Sequence, residues 1–335
     1  MNGIIDRRRF LQQSFAFSAL ATLGHSVAVA APRPRKDDTN HWLLVGDWGY
    51  ERYEAQTKVA AAMRQYAATN HLQIDALMML GDNWYGDMTG GVDSPRWKTQ
   101  FEEMYPASAF NCKAYAVLGN HDYQRMPESK VEIELAYAKR SNTRWTMPAR
   151  WYSFDFPSVE PLATVIALDS NVQRRGGSKA NGVNFQLTLS EQAEQLAWLK
   201  VELEKPRKTP YLIVIAHHPI YSNGPHGDHD VLIAEWEPLL RKHGAHLYFA
   251  GHDHDMQHLE FEGHPTSFVL SGGGGADLYT LKMEEAQRGP YARKVYGFTH
   301  LELSQRELTV KHLDESGHLI HAFTKTPKGD VHILS

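Results

Sequence analysis

The sequence predicts an α/β (α+β) fold of two packed mixed β-sheets flanked by helices, and three observations carry that prediction. In the first half, apolar runs short enough to be buried strands alternate with segments of helical spacing. After residue 254, short β-like segments follow one another with little helix between them. Five of the apolar runs stop abruptly at residues able to bind metals or move protons, and open α/β sheets gather their functional groups at such strand ends. No internal repeat, low-complexity tract or change of composition divides the chain, so residues 41–335 are expected to form one domain.

Residues 1–30 read as an export signal. Arg7, Arg8 and Arg9 precede Phe10 and Leu11, and a mostly apolar stretch runs to the small-x-small sequence Ala28-Val29-Ala30. Asp6-Arg7-Arg8-Arg9-Phe10-Leu11 resembles the bacterial twin-arginine signal, which implies the twin-arginine export machinery as a partner and a periplasmic or secreted location. The competing reading is a membrane anchor, against which Gln12, Gln13, Ser14, Thr22, Gly24, His25 and Ser26 interrupt the apolar run. Residues 31–40 are a polar linker.

The first strand starts near Trp42, a helix follows over about 57–68, and Ile74–Leu80 completes a β-α-β start. Ser94-Pro95 opens a predicted helix with Trp97, Phe101 and Met104 on one face. Further helices are expected over 130–140, from an N-cap at Ser190 to Glu204, and over 230–242; strands are expected over 151–156 and 161–168, the latter ending at Asp169. Residues 173–184, with Arg174-Arg175-Gly176-Gly177, read as an exposed loop. The late strands are expected over 267–270, 298–303, 307–313 and 319–323.

Composition excludes some classes of function. The formal charge is −4, and removing residues 1–30, which carry +2, leaves −6. That balance lacks the clustered basic face of a nucleic-acid binder. One cysteine, Cys112, rules out an intramolecular disulfide, and its place in an apparent strand reads as a buried inert thiol. The 19 histidines are many, and several stand at the strand ends.

Those ends form the candidate site. Leu43-Leu44-Val45-Gly46 delivers Asp47; Leu77-Met78-Met79-Leu80-Gly81 delivers Asp82, with Tyr85 three residues on; Val117-Leu118-Gly119 delivers Asn120 and His121. Ile213-Val214-Ile215-Ala216 delivers His217 and His218, and Phe249-Ala250-Gly251 delivers His252 and His254. Carboxylate and phenol oxygens suit a hard or trivalent cation, and imidazoles suit a divalent first-row metal. A carboxylate has two oxygens and can reach two metals, so Asp82 is read as the middle of one centre. In an extended segment His252 and His254 would point the same way. The run Gly272–Gly275 reads equally as a phosphate-approaching backbone or as a tight loop between strands.

Gly46-Asp47-Trp48-Gly49, Gly81-Asp82-Asn83-Trp84-Tyr85, Gly119-Asn120-His121-Asp122, Val214-Ile215-Ala216-His217 and Gly251-His252-Asp253-His254 together resemble the five signatures of the purple acid phosphatases, members of the calcineurin-like metallophosphoesterases. Thr89-Gly90-Gly91-Val92, Phe101-Glu102-Glu103-Met104-Tyr105 and Ser271-Gly272-Gly273-Gly274 resemble the small tartrate-resistant mammalian type. The resemblance implies a four-layer metallophosphoesterase sandwich. It implies iron(III) held by Asp47, Asp82, Tyr85 and His254, and a second divalent metal (iron, zinc or manganese) held by Asp82, Asn120, His217 and His252. It makes His121 and His226 the histidines that contact substrate, one of them protonating the leaving group. The implied reaction is hydrolysis of phosphate monoesters, on small molecules or phosphopeptides, by in-line attack of metal-bound hydroxide at acid pH. His218 and Asp255 depart from the mammalian pattern of tyrosine and asparagine, adding an imidazole and a carboxylate expected beside the cleft. Rival readings are a phosphodiesterase or nucleotide hydrolase using the same centre, and a redox or non-catalytic iron protein.

Overall fold

The five ligand-bearing runs are all strands, and within each sheet they run parallel. The computed structural model describes residues 39–124, 129–174, 186–283 and 288–335, within the compact unit Asp38–Ser335. The predicted export signal, nearly all of the linker and most of the loop 173–184 lie outside the described residues.

In the first sheet, β1 (Asn40–Val45), β2 (Ile74–Met79), β3 (Lys113–Ala116) and the short β4 (Trp145–Thr146) lie parallel side by side. The chain then builds the second sheet from β5 (Tyr152–Phe156), β6 (Ala163–Ala167), β7 (Tyr211–Ile215), β8 (Leu247–Ala250), β9 (Met256–Leu259), β10 (Ser267–Ser271) and β11 (Tyr291–Arg293). β6, β7, β8 and β10 are parallel, with antiparallel strands at both edges. The chain returns to the first sheet as an antiparallel meander, β12 (Gly297–Leu303), β13 (Leu308–Asp314), β14 (Leu319–Lys325) and β15 (Val331–Ile333), with β12 against β1.

The sheets pack face to face through apolar side chains. Trp42 meets Phe156 edge-on with ring centres 5.0 Å apart, and Tyr115 stacks on Phe154 at 4.1 Å. Helices cover the outer faces. The helix α1 (Glu54–Thr69) lays Tyr66 against Phe298, while α4 (Leu189–Glu204), which follows α2 (Asn120–Tyr123) and α3 (Val131–Tyr137), sends Glu202 to the Ser153 hydroxyl. Among the described residues, no helix is long and apolar enough to cross a membrane.

Three expectations are corrected. The predicted helix from Ser94 is instead a π-helical turn, Trp97–Glu102, in which Glu103 N donates five residues back to Lys98 O. The wider turn lets Trp97 stack on Tyr137 at 3.6 Å while Arg96 donates to the Tyr85 and Gly49 carbonyls. The N-cap of α4 is Thr188 rather than Ser190, because Glu191 reaches back to Thr188 N at 2.8 Å while Thr188 Oγ1 accepts from Glu191 N. The single helix predicted over 230–242 is two, α5 (Asp230–Glu235) and α6 (Glu237–Lys242), because Pro238 has no N–H to continue the first. Cys112 is partly buried and its thiol is pushed up to about 12 by burial, which leaves it inert.

Away from the ligand-bearing loops, the sheets are joined by buried histidines. His258 of β9 bonds through Nδ1 to His321 of β14 at 2.9 Å, and His312 of β13 donates to the Gln257 carbonyl at 3.1 Å. Burial, then the neighbouring imidazoles, lower His312 to about 3 and His321 to about 4. Both values lie below the ordinary histidine range, so between about pH 6.5 and 4 the unfolded chain takes up protons that the folded chain refuses. Stability from these groups is complete above about pH 6.5 and falls as acid approaches the folded values. Each costs about 1.4 kcal/mol per pH unit over that window. His312→Gln is expected to make the urea midpoint fall less steeply between pH 6 and 4 than in the parent. An identical slope would show that His312 takes no part.

Candidate metal centre

The parallel strands end at one crater, and backbone bonds stitch its rim across the sheets. Gly46 N donates to Ser271 O at 2.8 Å, Asp47 N to Gly81 O at 3.0 Å, and Gly251 N to His217 O at 2.9 Å. Asp47, Asp82 and His252 have φ of 59°, 48° and 72°. Few side-chain-bearing residues adopt the left-handed region, so three here mark a backbone bent to aim side chains inward. The glycines before them make room. A Cβ on Gly251 would lie 2.4 Å from Asp47 Oδ2, and one on Gly119 would lie 2.2 Å from Asp82 Oδ1.

All seven predicted ligands converge, in two groups sharing Asp82. In the first, Tyr85 Oη lies 3.2 Å from Asp47 Oδ1 and 3.1 Å from His254 Nε2, and His254 Nε2 lies 3.4 Å from Asp47 Oδ1. In the second, His217 Nε2 lies 3.2 Å from both Asn120 Oδ1 and His252 Nδ1, and 3.4 Å from Asp82 Oδ2. Asp47, Asp82 and His254 form one metal-compatible cluster, and His217, His218 and His252 another. His252 and His254 thus serve opposite groups. They do so through a turn, not the extended segment expected, because His252 is left-handed.

The donor set fits cations. His217 Nδ1 lies 2.9 Å from the Leu80 carbonyl and His254 Nδ1 lies 2.7 Å from the Asp277 carbonyl. A carbonyl only accepts, so both rings carry their proton on Nδ1 and turn a bare Nε2 inward, the anchoring typical of metal-bound histidine. Lone pairs of Nε2, an amide oxygen and carboxylates then meet with too few protons to satisfy them. In the chain alone that deficit shows as shifted acidities. Burial would lower His217, but Asp82 and Asp47 hold it up at about 10, and burial with Asp82 and Asp47 pushes the Tyr85 phenol well above its ordinary value. A third cluster, His41, His300 and Glu302, is a poorer host. Both His300 nitrogens are engaged, by His41 at 3.1 Å and Tyr66 at 2.9 Å, and Lys311 sits on Glu302 at 2.5 Å.

The predicted substrate-contacting histidines flank the crater on different sides. The His121 ring lies on Tyr85 with centres 4.1 Å apart, and its backbone N donates to Asp82 Oδ1 at 2.7 Å. The His226 ring lies 4.2 Å from His252, and its Nδ1 donates to Asp253 Oδ1 at 2.6 Å. Asp253 is a positioning residue that the sequence reading left unassigned, although it stands between the two histidines of its motif; Ser222 Oγ donates to its other oxygen. Asp122 was likewise given no role. It accepts from Gly119 N, Asn83 N and Trp84 N, stapling two ligand loops together. Asp255 is not beside the cleft as expected: it is fully buried, with Gln257 Nε2 donating to both its oxygens. In the glycine run, Gly272 N and Gly274 N donate to the carbonyls of Asp255 and Gly46, which makes it a tight crossing loop.

This fold, with carboxylates and imidazoles gathered at its strand ends, defines a metal-dependent phosphoesterase. Residues 41–256 match the calcineurin-like phosphoesterase family. Mouse tartrate-resistant acid phosphatase type 5 is 30% identical over 303 residues, covering 86% of this chain and 89% of that protein. Purple acid phosphatase 7 of Arabidopsis thaliana is 28% identical over 322 residues, covering 91% and 90%. Among solved structures, the inner-membrane-complex anchor GAP50 of Plasmodium is similar with a TM-score of 0.71 at 22% identity, covering 85% of this chain and 88% of that one. A purple acid phosphatase from yellow lupin seeds is similar with a TM-score of 0.66 at 17% identity, covering 89% and 55%. The chain belongs to the calcineurin-like phosphoesterases and, within them, to the purple acid phosphatases, a family of phosphoric-ester hydrolases with a binuclear metal centre.

Proposed function

We propose that this chain is an exported acid phosphatase that hydrolyses phosphate monoesters with iron(III) in the Asp47–Asp82–Tyr85–His254 group and a divalent metal in the Asp82–Asn120–His217–His252 group. The observation that carries the reading is the Tyr85 hydroxyl, buried within 3.2 Å of a carboxylate and of a bare imidazole nitrogen. In the chain alone the phenol keeps its proton, one hydrogen for two acceptors, whereas a hard cation held there would take the place of that proton and suit a phenolate oxygen. The ions, when bound, supply Lewis acidity that lowers the pKa of water and offsets phosphate charge.

The chain supplies positioning and protons. Asp253 fixes the Nδ1–H of His226, so the proton on Nε2 is the one available to a leaving alcohol. His121 is held by its backbone bond to Asp82, beside Tyr85 and across from His226. A leaving alkoxide needs a proton that imidazolium carries only in acid, which supports an acid optimum. The three arginines before Phe10, in a stretch that resembles a twin-arginine signal, support export.

The test is a visible spectrum with metal analysis on the same sample, then rates on a monoester, a diester and a nucleotide near pH 5. A pink or purple band is expected, lost in Tyr85→Phe, with the monoester fastest. A colourless protein holding two divalent ions removes the iron assignment, and a faster diester removes the monoester one.

A further inference from the structure

His218 stands next to a predicted ligand, and spacing alone would admit it as a third imidazole on the divalent metal: it offers a nitrogen within 4.8 Å of those of His217 and His252. Counting hydrogens decides otherwise. Ser170 Oγ accepts from His218 N at 2.7 Å and from His217 N at 3.2 Å, which uses both of its lone pairs. The same oxygen lies 2.9 Å from His218 Nδ1. A third donor has no lone pair to meet, so the Ser170 hydroxyl donates its own hydrogen to Nδ1. Neutral imidazole carries one proton, and with Nδ1 accepting, that proton is on Nε2. A nitrogen bearing hydrogen cannot bind a metal. The tautomer is the reverse of that of His217 and His254, whose Nδ1–H groups are taken by carbonyls.

The donor is placed for a ligand. The His218 and His226 rings each lie 4.2 Å from that of His252, so three imidazoles line the divalent side of the crater. His218 keeps 8% of its surface exposed, and among the described residues Nε2 has no hydrogen-bond partner. We infer that His218 is a substrate-binding residue: its Nε2–H donates to a non-bridging oxygen of the phosphate ester, next to and not on the divalent metal. The inference rests on reading the crater as a phosphate-ester site. It adds a third donor to the two histidines expected to contact substrate.

The experiment loads the purified protein with both metals and compares it with His218→Phe, which keeps the ring and removes the donor, and with His218→Gln, which restores an N–H. Orthophosphate binding is measured by calorimetry and metal content by elemental analysis; KM and kcat are measured on a monoester. In His218→Phe, full metal content is expected with orthophosphate bound about ten-fold more weakly, the scale of one hydrogen bond to a charged group, and largely recovered in His218→Gln. A metal ion lost from His218→Phe would make His218 a ligand and overturn the inference, as would unchanged orthophosphate binding. Should the parent bind orthophosphate yet hydrolyse no ester, the proposed activity fails while the His218 contact is still decided by the binding data. If the phenylalanine variant does not fold, His218→Leu is measured in the same way: weaker orthophosphate binding with metal content kept supports the inference, and unchanged binding overturns it.

Discussion

Asp82→Asn is expected to strip the centre of metal and to lower kcat/KM by about a hundred- to a thousand-fold, the scale at which single electrostatic contacts in reaction centres count. Asp82 is 1% exposed and joins the two ligand groups, with Oδ1 taking the His121 N–H and Oδ2 facing His217. Burial opposes its charge, yet His217 and His121 hold its pKa well below the usual carboxylate range, so the pocket is built for an anion. Asparagine keeps the size and an oxygen for His121 N–H but removes the charge and one of the two metal-facing oxygens. The fold should persist, read by unchanged circular dichroism, because the replaced atoms are nearly isosteric. Metal content is the decisive reading. If the variant kept both ions, Asp82 would not be the shared ligand.

The ligands were legible because each follows an uninterrupted apolar run and, in four of the five cases, a glycine, and a buried strand that ends in a polar group leaves that group at the sheet's edge. The same logic reached the late meander, where short β-like segments follow one another with little helix between them. It missed β9, because Gln257 and His258 are both buried yet polar: His258 pairs with His321 across the sheets, and Gln257 Nε2 donates to Asp255. Polar groups satisfied by a partner far along the chain break the alternation on which strand reading depends. His226 stands in a loop with no periodic signal and came only from the resemblance. The roles of Asp253 and Asp122 depend on loops meeting in three dimensions, and no spacing along the chain expresses that. Left-handed backbone at Asp47, Asp82 and His252 was equally unreadable, since none of these is a residue type that announces it as glycine does.

The preceding glycines offer a test that separates the centre from the fold. Gly119 has an ordinary negative φ of −104°, so it is required for space and not for conformation. A Cβ there would lie 2.2 Å from both Asp82 N and Asp82 Oδ1, closer than any real contact, and the atoms it meets include backbone. Relief must come from moving the start of α2, which carries Asn120 and His121, away from Asp82. Gly119→Ala is therefore expected to cost about 1–3 kcal/mol, as overpacking does, and to lose the divalent ion and most activity. Gly263 supplies the contrast. Its φ is +70° with nothing within 4 Å of a Cβ, so Gly263→Ala strains the backbone by about 1 kcal/mol far from the centre. Both variants should melt lower, but only Gly119→Ala should bind less metal. Equal metal content in the two would mean that the close approach of Gly119 to Asp82 serves packing alone, and that the ligand geometry tolerates a shift the crater's other contacts argue against.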